Sequence, residues 1–215
     1  TRLRDEISYH IIHINDERIE NRKSVKRIID GNDLNILSRN AREEGFLDLF
    51  KQTYPEFKFA WDGFKPGEIG NFASHYTAWK YLTKSTLDQI LIFEDDVIMQ
   101  EDFVEKYNLA LSSVPEDYDV LSIFVDKNQY ERFDESQRIS YYIAKGYQDW
   151  STLCYVISKQ GAEKLCKYVE TIGFDHPTDW FIFRKGQKGI FNVYTLPPYF
   201  KNPLAIDTRY ESQVQ

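Results

Sequence analysis

The sequence predicts a single α/β domain with a mostly parallel central sheet flanked by helices. Three observations lead there. The continuous apolar run at residues 90–93 reads as a strand buried on both faces, and 119–125 and 151–157 read as further strands. Amphipathic helical stretches alternate with them, most clearly at 69–82, where Ile69, Phe72, Ala73, Tyr76, Trp79 and Leu82 form one stripe. The chain has 215 residues, which suits one large domain and is short for two.

In order, residues 8–15 are rich in Ile and alternate loosely, as a first strand would. Asn15-Asp16 can cap the helix that follows, with Ile19, Val25, Ile28 and Ile29 as its buried stripe. Arg22 on that helix could return to the strand's carboxyl end and meet a phosphate, although a solvated basic face is the simpler reading. Residues 42–52 look helical, and 57–61 form a short strand or an aromatic loop. Asp62-Gly63 and Lys65-Pro66-Gly67 supply turns.

The helix at 69–82 carries Asn71, Ser74, His75 and Ala78 together near its start. Small polar groups at a helix amino end suit an anion, while a lone histidine there is more often structural. Residues 101–112 form a helix that Val114-Pro115 ends. The strand at 119–125 runs into Asp126-Lys127-Asn128, and the polar stretch as far as Arg138 is a candidate mobile loop. Residues 139–144 and 151–157 read as strands that could pair antiparallel, bridged by 146–150. Ser158 caps a helix that stops at Gly173. His176-Pro177-Thr178-Asp179 opens a short aromatic helix ended by Gly186, and 190–196 is the last strand, closed by Pro197-Pro198.

Composition narrows the function. A hydrophobic share of 42% with 16% aromatics allows a substantial core and aromatic platforms of the kind sugars and bases use. The net charge of −7 argues against nucleic-acid binding by broad phosphate neutralisation. Cys154 and Cys166 sit in apolar settings and read as buried thiols, without metal-ligand spacing. No stretch reaches membrane-spanning length, and the charged opening does not look like a signal peptide, so a cytoplasmic location is the default expectation.

The run 90–93 ends in three consecutive carboxylates, Glu94-Asp95-Asp96. A buried strand delivers its last residues to the carboxyl edge of the sheet, where α/β proteins form ligand crevices. Glu94 and Asp96 fall on one side and Asp95 on the other, an arrangement that suits a divalent cation with hard oxygen ligands. Taken alone, the tripeptide is explained better by a solvated acidic turn.

The order of motifs changes that balance. Gly67-Glu68-Ile69-Gly70, Ser74-His75 with Trp79, and the strand ending Glu94-Asp95-Asp96-Val97 resemble the family 25 glycosyltransferases. So do Ile14-Asn15 with Arg22, Tyr155 with Gly161-Ala162, and Pro177-Thr178-Asp179. Together they span about residues 9 to 200. The chain departs from the family in having Asn71 where a Cys is usual, and no histidine follows Asp207 to close a metal site. Either Asp30-Gly31 or Asp62-Gly63 could be the family's Asp-Gly.

The resemblance implies a GT-A type domain, with a nucleotide-sugar half at about 1–126 and an acceptor half at about 127–215. It implies inverting transfer of a hexose, galactose foremost, from a UDP-sugar to a hydroxyl on a glycan or hydroxylysine, with Mn²⁺ or Mg²⁺. Glu94 and Asp96 would hold the metal, with Asp96 the more direct ligand. Asn15, Arg22, Gly70, Ser74, His75, Glu94 and Asp95 would line the donor site, with Asp95 or Glu94 on the ribose and Arg22 on phosphate. Asp179 would be the base that takes the acceptor proton, and Asp126 is the second choice; as a helix cap, Asp179 has an equally simple structural explanation. Trp150, Tyr155 and Trp180 are candidate stacking platforms. A catalytically inactive binding relative is the alternative. A phosphoryl-transfer enzyme would call for a phosphate-cradling Gly-rich loop, which the sequence lacks.

Overall fold

The computed structural model describes residues 9–12, 46–60, 63–94 and 97–206. Its elements run β1 (Tyr9–Ile12), α1 (Phe46–Thr53), α2 (Pro66–Lys84), β2 (Gln89–Glu94), β3 (Val97–Met99), α3 (Phe103–Ser113) and β4 (Val120–Ser122). Two 3-10 turns follow, Lys127–Arg132 and Glu135–Gln137. Then come β5 (Ala144–Lys145), β6 (Cys154–Ser158), α4 (Lys159–Thr171), α5 (Thr178–Gln187), β7 (Val193–Thr195) and β8 (Leu204–Ile206).

Among the described residues, a six-stranded sheet has the order β1-β2-β6-β4-β7-β5, and β3 pairs with β8 in a separate ribbon. β1 is parallel to β2 and β4 to β7, but β6 lies antiparallel between β2 and β4. β5 is antiparallel to β7. The α/β class is as expected, but the sheet is mixed rather than mostly parallel. An apolar run buried on both faces looks the same in either direction, so composition does not reveal the reversal of β6.

That reversal shapes the site. It brings the amino end of β6 to the edge where β2 and β4 end. Glu94 N–H donates to Leu153 O at 2.9 Å, and Ile123 N–H to Cys154 O at 3.0 Å.

Alternation along the central strands feeds two cores. Ile90, Ile92, Val120, Tyr155 and Ile157 face a layer built with residues of α2, α4 and α5, where Phe72, Trp79, Phe174 and Phe181 pack edge-on and stacked. Leu91, Phe93, Leu121, Cys154 and Val156 face the opposite layer with Phe103, Tyr107 and Ala110 of α3. Both cysteines are free and buried, and burial pushes both thiols up, Cys166 to about 12. No helix among the described residues is long and apolar enough to cross a membrane.

α2 opens at Pro66, not at Ile69, with Lys65 N–H donating to Glu68 Oε2 at 2.8 Å. Ser158 caps α4 by accepting from Gly161 N–H at 3.0 Å, while its own hydroxyl donates to Tyr118 O at 2.8 Å. Gly173, at φ 113°, ends the helix region, its N–H reaching Tyr168 O. α5 continues one residue past Gly186.

The strands expected at 139–144 and 151–157 do not pair with one another. The first shrinks to Ala144–Lys145 beside β7, and the second lies in the middle of the sheet. The polar stretch after Asp126 is ordered by local capping: Asp126 accepts from Asn128 N–H and Asp134 from Ser136 N–H, each at 2.8 Å.

Candidate active site

The last residue of β2 carries the site. Glu94 is fixed there because the buried run before it locks its backbone between β1 and β6. Its Oε1 accepts from Thr152 Oγ1–H at 2.6 Å and from Asn71 Nδ2–H at 3.4 Å. Asn71 in turn accepts from Thr178 Oγ1–H at 2.7 Å, at the first residue of α5.

Asp179 follows. Its Oδ1 accepts from Trp180 N–H at 2.8 Å and its Oδ2 from Ser151 N–H at 3.2 Å. Ser151 precedes Thr152, so the connections close a ring: Glu94, Thr152, Ser151, Asp179, Thr178, Asn71 and back to Glu94. Two carboxylates separated by 85 positions in sequence share one frame drawn from β2, α2, the lead-in to β6 and the start of α5. Ser151 adopts φ 81°, a conformation that costs a non-glycine residue energy and marks a backbone held by its surroundings.

A second chain of contacts reaches Glu94 from behind. Trp79 Nε1–H can only donate, and it gives its proton to Tyr155 Oη at 2.9 Å. The Tyr155 hydroxyl, fully buried, also hydrogen-bonds His75 Nδ1 at 2.7 Å. The other ring nitrogen, Nε2, faces Glu94 Oε1 at 3.4 Å. That last contact is long for a hydrogen bond, and among the described residues Nε2 has no hydrogen-bond partner.

The two carboxylates are tuned in opposite directions. Burial is the largest single influence and pushes Glu94 up, but the contacts from His75, Thr152 and Asn71 together outweigh it, and the group is held below its ordinary value. Asp179 is raised. Burial is the main cause, the Trp180 and Ser151 amides pull it partly back, and the negative charge of Glu94 pushes it further up.

The remaining expected residues fall in several places. Ser74 is buried and donates to Gly70 O at 3.0 Å within α2, so its hydroxyl is used inside the helix. With α2 opening at Pro66, the amides of Ser74 and His75 belong to the helix body rather than its amino end. Asp126 caps the Lys127–Arg132 turn and borders a groove of about 830 Å³. Tyr155 is core rather than a stacking platform, and one face of Trp180 is covered by the Arg184 guanidinium at 3.5 Å. Trp150 is exposed. Asn15, Arg22, Asp95 and Asp96 lie outside the described residues.

Among the described residues, no three His, Cys, Asp or Glu side chains gather into a metal site. Glu94 offers hard oxygen chemistry, but its Oε1 is engaged by Thr152 and Asn71, so the described part of the acidic run supplies one carboxylate toward a cation.

Sequence reasoning missed Thr152 and Ser151, and met Asn71 as one of the small polar groups near the start of its helix and as a departure from the family pattern, not as a partner of Glu94. The available signal was the polar Ser-Thr pair just before an apolar run.

The model of "Glycosyltransferase family 25 (LPS biosynthesis protein)" matches residues 13–182. The chain is 28% identical over 141 residues to procollagen galactosyltransferase 2 of Homo sapiens, covering 64% of this chain and 22% of that protein. It is 28% identical over 218 residues to the procollagen lysyl hydroxylase and glycosyltransferase of Acanthamoeba polyphaga mimivirus, covering 95% and 22%. It is 29% identical over 146 residues to the probable inactive glycosyltransferase 25 family member 3 of Bos taurus, covering 65% and 23%. The chain thus spans less than a quarter of the length of each of these relatives. The family model covers most of its residues, and the chain belongs to glycosyltransferase family 25.

Proposed function

We propose that this domain transfers a hexose, galactose foremost, from a UDP-sugar to an acceptor hydroxyl with inversion at the anomeric carbon. The observation that carries the reading is the closed ring holding Glu94 ionised and Asp179 raised at one sheet edge. In the transfer, the acceptor oxygen bonds to the anomeric carbon as the bond from that carbon to the diphosphate oxygen breaks. UDP leaves with the electron pair, and the acceptor proton passes to Asp179. A buried carboxylate with a raised pKa is a better base than a solvated one, and its two amide hydrogen bonds fix its direction. Asp126 is the second choice.

Glu94, held ionised by Thr152, Asn71 and His75, is suited to accept a hydroxyl of the donor or to orient a cation's water shell. We assign the direct metal contact to Asp96, with Asp95 toward the ribose and Asn15 and Arg22 toward the nucleotide and its phosphates. A bound Mn²⁺ or Mg²⁺ supplies Lewis-acid stabilisation of the charge on the departing diphosphate. Gly70, Ser74 and His75 act through the placement of Asn71 and Glu94.

A second reading is a binding relative without turnover, favoured by the similarity to a family member named as probably inactive. A panel of nucleotide sugars with and without Mn²⁺ separates the two. The transferase reading expects metal-dependent hydrolysis of one UDP-hexose, abolished by Asp96→Asn with the fold intact. Binding without hydrolysis of any donor favours the second reading, and wild-type turnover by Asp96→Asn overturns the metal assignment.

A further inference from the structure

We infer that the groove beside Asp126 is the acceptor subsite and that it takes an acidic saccharide, a reading that rests on the transfer function proposed above. The groove, of about 830 Å³, lies between the start of α3, the chain after β4 and the segment 198–206. Its walls are stapled to the sheet edge. Asn202 clamps the Val125 main chain from both sides, accepting from its N–H at 3.1 Å and donating to its O at 2.6 Å. Gln129, fully buried, accepts from Asp149 N–H at 2.6 Å and donates to Trp150 O at 3.2 Å. The next residues, Ser151 and Thr152, hold Asp179 and Glu94. Groove and carboxylate ring are thus joined through one short segment, and the carboxyl ends of β4 and β2 stand two strand spacings, roughly 10 Å, apart.

The charges in the groove run against those of the chain. Three lysines line it against two aspartates, in a chain of net charge −7. Lys106 is paired with Asp102 at 2.7 Å, and Asp126 caps its turn. Among the described residues, Lys127 and Lys201 have no ion-pair partner, and both are exposed. Next in sequence to Pro198 of the groove wall, Tyr199 belongs to an aromatic cluster outside the lining itself. Tyr199 packs on Tyr141 with centroids 5.5 Å apart and on Phe133 at 6.1 Å, and Tyr141 is 63% exposed. Exposed aromatic faces accept the apolar face of a sugar ring, and unpaired ammonium groups beside them select a carboxylate- or phosphate-bearing one.

The groove is tested without donor, by titrating the full chain with a hexuronate-containing trisaccharide, its neutral counterpart and an acidic peptide of equal charge. Expected is preferential binding of the acidic trisaccharide, weakened about tenfold by Lys127→Glu with Lys201→Glu and lost at high salt. Tyr199→Ala should weaken both trisaccharides while the melting temperature holds. Equal affinity for the acidic and neutral sugars, an unchanged affinity in the charge-reversed chain, or stronger binding of the peptide would each overturn the assignment. Hydrolysis of UDP-hexose by the unaltered chain tests the transfer reading separately.

Discussion

Thr152 donates its hydroxyl to Glu94 Oε1 at 2.6 Å across 58 positions of sequence, coupling the lead-in of an antiparallel strand to the end of the acidic one. Replacing the hydroxyl with a methyl group in Thr152→Val keeps the shape and removes the donor. A hydrogen bond to an ionised group contributes about 1.5–3 kcal/mol, so urea denaturation should show a loss of that size. The Glu94 carboxyl should also titrate higher, because one of the groups that lowers it is gone. An unchanged unfolding midpoint would show that the hydroxyl does not support Glu94.

Tyr155→Phe tests the contacts behind Glu94. It strands the Trp79 indole N–H and His75 Nδ1 in a fully buried site, each of which costs about 1–3 kcal/mol without a partner. The variant should be clearly less stable at neutral pH. Wild-type stability would mean that neither contact is made in solution.

The pH dependence follows from the opposed carboxylates. As a base, Asp179 must be ionised, so transfer should rise with pH through a value above its ordinary 3.8. Glu94 is held below its ordinary 4.5 and is already ionised across that range. For stability the signs differ. The raised Asp179 favours the folded state at low pH, and that contribution is lost as pH rises through its folded pKa. The depressed Glu94 contributes stability above its ordinary value, which is lost as pH falls through its folded pKa. A profile of kcat/KM against pH with its acid limb at or below 3.8 would contradict the role given to Asp179.

Gly161→Ala should destabilise the fold although alanine favours helix. A Cβ there would sit 2.2 Å from Asp119 O and 2.7 Å from its carbonyl carbon, both main-chain atoms at the entry to β4. The first turn of α4 would have to lift from the sheet, straining the Ser158 cap and the Lys164 contact with the buried Asp119 carboxylate at 2.8 Å. The expected loss is about 1–3 kcal/mol by urea denaturation. An unchanged or higher midpoint would show that the helix is not held so close.

Much of this was legible because its signals are local. The apolar run before Glu94 announces a buried strand, and Pro177-Thr178-Asp179 announces a helix start whichever way the chain turns. The ring that joins them was not legible. Ser151 and Thr152 matter only because β6 runs antiparallel beside β2, and an apolar run carries no mark of its direction. Asn71 reaches Glu94 and Thr178 across 23 and 107 positions, and no spacing rule spans such distances. The polar stretch after Asp126 looked mobile because its order comes from Asx-type capping and from Gln129, a polar side chain buried far from any apolar pattern.

The central claim is that Asp179 takes the acceptor proton, and Asp179→Asn tests it most directly. The amide can keep one of the two backbone hydrogen bonds, to Trp180 or to Ser151, so the start of α5 should survive with a melting temperature within a few degrees of wild type. Binding of the UDP-hexose should be unchanged. Transfer to the acceptor should fall by about a hundred- to ten-thousand-fold, the worth of a positioned base. Near-normal transfer by Asp179→Asn would contradict the account and move the base to Asp126.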